Sequence, residues 1–483
     1  MDSTPLPEVQ VDAPELETMA TADYLEETTV ETVTEQVHGE VLQPGDAGYE
    51  EARTVWNAVI DREPALIVRC TGAADVMTAV DFAREFDLPL AVKGGGHNVA
   101  GNAVCDDGLV VDLSPMDAVR VDPEAKVARV QGGAVWGDFD HETQAHGLAT
   151  TGGIVSTTGV AGLTLGGGLG YLDRTYGLAQ DNVRSMDVVT AAGELVRASK
   201  EENPDLFWGM LGGAGNLGIA TSFEFDLHRV GPEVLTGRVI HPYEAAADVL
   251  RFYRDFMLDA PDEVQCYAAF VRGNPAMGLP EHLHGRTVLG LLPFYSGSVE
   301  AGRAALEPIR DFGDPIADTV EPTRYTTAQQ RSDDLYREGD RNYWKSRLFD
   351  DPSDEAIDTI VEQVESLPTP LTTVFFEWMG GAISDADPDA TAFPHRDATV
   401  SFTIAPKWTD PGRDDELMRW AREFFEATAP YATEEVYVNL LDQDEPERVR
   451  DAYGERYERL RELKREWDPD NFFRMNQNIE PAD

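Results

Sequence analysis

Basic charge is scarce in this chain, and lysine scarcer still. Only six residues are Lys (Lys93, Lys126, Lys200, Lys345, Lys407 and Lys464) and 33 are Arg, against 89 Asp and Glu, which leaves a net charge of −50 over 483 residues. Nucleic acids and anionic membranes are held by basic surfaces, so both are excluded as partners. Cysteine is nearly absent. Cys70, Cys105 and Cys266 are too few and too far apart for a disulfide framework or a zinc site, which fits a reducing interior. No apolar run reaches the 18 residues a membrane span needs. Phosphate-loop and dinucleotide fingerprints are missing too: Gly-Lys-Ser/Thr does not occur, and no Gly-x-Gly-x-x-Gly stands between strand and helix with an acid downstream.

What remains is ordinary core chemistry under an acidic surface. Hydrophobic residues make up 42% and aromatics 9%, enough for two or three domains at this length. An acidic, Lys-poor surface on a normal core suits concentrated salt, as inside a haloarchaeon, where screening shortens to roughly 3 Å at 1 M. A merely acidic mesophile protein is the alternative. The first 40 residues hold eleven Asp/Glu and no Lys or Arg; residues 1–42 read as a solvated acidic tail without a signal peptide, and the protein as cytoplasmic. His282 and His284 lack a third ligand nearby, so no metal site is expected.

Glycine is where the chain becomes informative. A β-α-β pattern runs from Ala65 to Val92 and ends in Lys93-Gly-Gly-Gly-His97-Asn98, a loop able to lie against a ligand and aim its amides at phosphate. Residues 150–170 are crowded with glycine yet apolar, which suits backbone wrapped around something flat or phosphorylated. A third approach, Asn203 to Thr221, runs into a strand. After Leu235, strands alternate with amphipathic helices, which suggests a sheet covered on one side.

The segments Lys93 to Asn98, Gly152 to Gly170, Tyr176 to Asn182, Asp205 to Thr221 and Asn476 to Ile479 together resemble the berberine bridge enzyme-like oxidoreductases. These are FAD enzymes of the vanillyl-alcohol oxidase superfamily, and the texture is most similar to members akin to 6-hydroxy-D-nicotine oxidase. The resemblance implies an α+β, two-domain PCMH-type fold: an FAD-binding domain over residues 43–235, a substrate domain over 236–430 with an antiparallel sheet under helices, and a closing segment over 431–483. It implies FAD joined covalently to His97, with Gly94, Gly95, Gly96 and Asn98 at the pyrophosphate. Further cofactor contacts are expected from Thr157, Gly159, Gly162, Gly166, Gly167, Gly170, Asn216, Gly218, Ile219, Asn476 and Asn478. Relatives carry a second link from a Cys where this chain has Val155, so a single link is expected.

Relatives also gate oxygen with the residue before Gly159, here Thr158, whose size favours an oxidase that reduces oxygen to hydrogen peroxide. Sugar-oxidising relatives place a basic Tyr where this chain has Leu440, while Tyr437 and Asn439 remain. Tyr437, Glu377 and Lys345 are therefore the residues expected near the substrate, a small amine, alcohol or sugar. The alternatives are a flavin dehydrogenase with another acceptor and a flavin-binding redox protein without turnover.

Overall fold

The computed structural model describes residues 27–483; the first 26 residues of the expected tail lie outside the described residues. From Glu27 onward the tail expectation fails. Glu27–Gln36 is a helix and Glu40–Leu42 a strand. Val30, Val33 and Val37 are buried against Val76 and Val80 of the helix Ala73–Glu85. The Asp75 carboxylate fixes this entry by accepting the N–H groups of His38, Gly39 and Thr71. Helical spacing of three valines thus outweighs the acidic composition around them.

Two sheets build the first half. Glu40–Leu42, Leu66–Arg69, Leu109–Asp112 and Leu90–Lys93 form one sheet in that order, with Leu109–Asp112 parallel to both its neighbours. Leu66, Val68, Leu109 and Val111 are wholly buried, as strands covered on both faces require. The second sheet is antiparallel, in the order Val119–Asp122, Val127–Gln131, Ile219–Asp226, Val183–Val189 and Leu195–Ser199. A third, nine-stranded antiparallel sheet follows, with Thr287–Tyr295, Val264–Arg272, Thr373–Trp378 and Val400–Ala405 consecutive at its centre. It already includes Glu233–Thr236.

Period-two alternation divides that sheet chemically. Cys266, Ala268, Phe270, Val374, Phe376 and Trp378 pack into one core with the helices Ala246–Asp259, Asp354–Gln363 and Asp414–Thr428. Gln265, Tyr267, Phe375 and Glu377 point the other way, toward the glycine-rich segments. The α+β class and the helix-covered antiparallel sheet agree with expectation. Residues 436–480 return to the second sheet, burying Val436, Val438, Tyr453, Leu460 and Ile479 in its core. No helix among the described residues is long and apolar enough to cross a membrane.

The surface charge leads to the expectation that folding depends on salt. Fifty uncompensated negative charges repel one another unless screened, and exposed Arg–carboxylate pairs such as Arg251–Asp358, 2.6 Å apart, recover little of that. Far-ultraviolet circular dichroism across a potassium chloride series is expected to show the folded fraction rising with salt. An unchanged spectrum in salt-free buffer would refute this.

Candidate functional site

A cavity of about 310 Å³ opens where the three sheets meet. Its floor comes from two glycine loops that cross backbone to backbone. A Cβ on Gly95 would run into the amide of Gly159, and one on Gly159 into Gly95, so neither position tolerates a side chain. Among the described residues, the N–H groups of Gly95, Gly96, His97 and Asn98 donate to no protein acceptor. Such a row of free amides is an anion cradle.

His97 leaves this loop with its ring stacked on Trp56, centroids 5.1 Å apart. Its Nε2 lies 2.8 Å from Thr157 Oγ. Burial lowers its pKa to about 4, so the ring is neutral around pH 7 and Nδ1 has no protein partner among the described residues. Gly94, Asn98, Thr158, Gly162, Gly218, Ile219 and Asn476 also line the cavity, with Val155 beside them. Asn476 Oδ1 is buried and unpaired, a free acceptor in the wall.

The closing segment supplies that wall, and a buried lysine holds it in place. Lys464 Nζ donates to Asp468 at 2.6 Å, to the Phe473 carbonyl at 2.9 Å and to the Asn216 carbonyl at 2.8 Å. Asn216 does not reach the cavity. Its amide donates to the Gln477 carbonyl and its oxygen accepts the N–H of Ile479, so it anchors the segment instead. Asn478 likewise falls outside the lining.

Three of the expected cofactor glycines serve the protein's own packing. Gly170 makes room for the Gly152 carbonyl, Gly166 for the Asn439 amide, and Gly167 for the rings of Phe393 and Tyr437. The stretch is not all extended backbone either, since Val160–Leu165 forms a short helix.

Glu377 and Tyr437 both line the cavity. Glu377 is 9% exposed. Its pKa is raised to about 8, first by burial and then by the charge of Asp173, and the Ser401 hydroxyl, which donates at 3.3 Å, opposes the rise. Tyr437 Oη accepts the Gly168 N–H at 2.8 Å and Asn439 Nδ2 at 2.7 Å. With both lone pairs engaged and its pKa raised by burial, this phenol keeps its proton and can only donate.

Lys345 is misplaced by the sequence reading. Its ammonium is buried away from the cavity, 2.6 Å from Asp444 and 3.1 Å from Glu445, where it ties the sheet edge to the closing segment. The preceding residue, Trp344, is the one that lines the cavity. Trp56, Tyr336 and Phe375 join it there. Trp344 stands edge-on to Trp56 at 5.7 Å and to Tyr336 at 6.1 Å. None of these aromatics belongs to a motif. Alternation next to Lys345 was the one signal that could have found Trp344.

The open amides, the unpaired Asn476 oxygen and the apolar remainder fit FAD, whose pyrophosphate needs donors and whose ring needs a dry slot. Known proteins agree. Residues 64–199 match the FAD binding domain family and residues 436–480 the berberine and berberine-like family. The chain is 30% identical over 456 residues to (R)-6-hydroxynicotine oxidase of Paenarthrobacter nicotinovorans, covering 92% of this chain and 97% of that one. The structure of 6-hydroxy-D-nicotine oxidase from Arthrobacter nicotinovorans superposes with a TM-score of 0.84 at 27% identity, over 92% of this chain and 98% of that one. Glucooligosaccharide oxidase from Acremonium strictum, which carries a 6-S-cysteinyl, 8α-N1-histidyl FAD, shares the fold with a TM-score of 0.83 at 22% identity, over 94% and 99% of the two chains. The chain therefore belongs to the berberine and berberine-like FAD-linked oxidoreductases, built on the PCMH-type FAD-binding fold.

Proposed function

We propose that this protein is an FAD-dependent oxidase of a small amine, alcohol or sugar, with its flavin held covalently by His97 alone and oxygen reduced to hydrogen peroxide. The observation that carries this reading is the state of His97. Burial keeps the ring neutral, and in the tautomer whose Nε2–H donates to Thr157 Oγ1, Nδ1 offers a lone pair at the cavity rim. Val155 stands where a second anchor would need sulfur. When bound, FAD supplies a two-electron acceptor for a substrate hydride.

The protein's own groups handle the proton. In its ionised form Glu377 takes the substrate's O–H or N–H proton, and Tyr437, its oxygen already saturated, donates to the substrate's heteroatom. Trp56, Tyr336, Trp344 and Phe375 exclude water from the reacting centre and offer flat faces to a ring. Domain boundaries near residues 236 and 431 and a cytoplasm rich in salt complete the proposal.

An anaerobic screen of amines, alcohols and sugars in molar salt tests it, read as bleaching of the flavin's visible band. Bleaching by a substrate followed by stoichiometric peroxide on admitting air supports an oxidase. Bleaching without reoxidation by air makes the protein a dehydrogenase, and no bleaching at all favours a flavin-binding protein without turnover. Thr158 lines the cavity beside the crossing loops, where added bulk obstructs oxygen. Thr158→Leu is expected to slow reoxidation tenfold or so in stopped flow, with reduction little changed. Slowed reduction alone would remove Thr158 from the oxygen path.

A further inference from the structure

Behind Glu377 lies a second buried carboxyl that the reaction above does not use. Asp173 opens the short helix Asp173–Tyr176 at the end of the glycine-rich segment and is wholly buried. Its Oδ2 accepts the Gly170 N–H at 3.1 Å and its Oδ1 accepts Gln265 Nε2 at 2.6 Å. The same Nε2 donates at 2.8 Å to the carbonyl of Trp378, the residue after Glu377. One neutral amide therefore joins Asp173 to the strand that carries Glu377. Tyr267, two residues beyond Gln265, is the direct register partner of Glu377, so the two side chains share a face. Its hydroxyl is buried with no partner.

Among the described residues no cation forms an ion pair with either carboxyl, although the Arg174 charge and backbone N–H favour the ionised form of Asp173. The titratable groups near Glu377, besides Asp173, are the phenols of Tyr267, Tyr336 and Tyr437 and, across the sheet, that of Tyr253, all kept protonated by burial. Arg174 adjoins Asp173, yet its guanidinium donates to the carbonyls of Val264 at 2.6 Å and Ala260 at 3.2 Å and comes only within 3.9 Å of Asp262. Burial raises Asp173 to about 7 against the hydrogen bonds from Gly170 and Gln265 and the charge of Arg174, while Glu377 rises to about 8 under burial and the charge of Asp173. Two carboxyls tied to one amide's partners in a dry interface do not ionise independently.

We propose that Asp173 and Glu377 titrate as one coupled pair, and that the charge on Asp173, a positioning residue, sets how strongly Glu377 draws the proton from the substrate. This rests on the reading of Glu377 as the base. In that step the substrate's O–H or N–H bond breaks and an O–H bond forms on Glu377. The hydride leaving carbon carries both electrons to the flavin, so charge and atoms balance. A negative Asp173 favours proton uptake by Glu377, and the neutral Gln265 between them transmits position without cancelling charge.

Infrared titration of the protonated-carboxyl band in the flavin-loaded protein, from acid to alkaline pH in molar salt, tests the pair. Glu377→Gln is expected to remove the component titrating near pH 8 and to leave Asp173 near 7, because Asp173 ionises while Glu377 is still neutral. Asp173→Asn is expected to move the Glu377 component to lower pH by roughly one unit or more, since the charge that raises it is gone. The rising limb of the rate of flavin reduction, where Glu377 ionises, should move with it in stopped flow. Should Asp173→Asn fail to fold, Asp173→Ser, which also removes the charge, decides in its place. A Glu377 component that titrates at the same pH with and without the Asp173 carboxyl overturns the pair. Coupling in the infrared combined with unimpaired reduction in Glu377→Gln would instead remove Glu377 from the reaction and leave the pair standing.

Discussion

Acid-denatured protein is expected to keep its yellow colour in the precipitate, and His97→Ala treated in the same way to release all of its flavin. The contrast is all or none because the site has a single candidate anchor. The free amides from Gly95 to Asn98 and the oxygen of Asn476 hold a cofactor only while the fold lasts, whereas a bond to His97 survives unfolding. Native His97→Ala should still bind FAD, since the cradle is backbone, and should lose it on dilution. Flavin that stays with the denatured variant would place the link on another residue. A colourless wild-type precipitate would mean that no link forms.

The second large effect belongs to Glu377. Glu377→Gln keeps the volume and the contact with Ser401 but removes the base, so anaerobic flavin reduction should slow by tenfold or more, within the ~10²–10⁴ range of general-base contributions, while reoxidation stays unchanged. In the parent, reduction should accelerate as pH rises through about 8, where the carboxyl ionises. The same shift has a stability consequence of opposite sign. A carboxyl whose folded pKa lies above its unfolded value contributes stability below the unfolded pKa, and that contribution is lost as pH climbs toward the folded value. Glu377→Gln should therefore melt higher than the parent above pH 8. A variant with equal reduction rates at every pH would assign the base role elsewhere.

The parts of the site legible in the sequence are those whose constraint is local. Gly95 and Gly159 must be glycine because two backbones touch there, and that need shows as a motif. Gly166, Gly167 and Gly170 answer the same kind of need but lie outside the cavity lining, a distinction that composition does not carry. Lys345 drew attention by its rarity and proved to be half of a buried ion pair. Trp344, one residue earlier, faces the cavity because neighbours along an extended chain point opposite ways. Trp56 and Tyr336 meet only in the folded state, where the Trp56 indole donates to the Tyr336 carbonyl at 2.9 Å across 280 residues. In the segment after Glu27, the spacing of Val30, Val33 and Val37 was readable, but the surrounding acid masked it.

The cavity draws one wall from Trp56 and Gly94 to Asn98, and another from Met475 to Gln477, clamped by Lys464 and Asp468. Synthesis runs from the first of these walls to the second, so for most of translation the cradle exists without its cover. A chain stopped before Met475 would offer a ligand that cradle without its second wall, so its yield of yellow protein is expected to fall below that of the full chain.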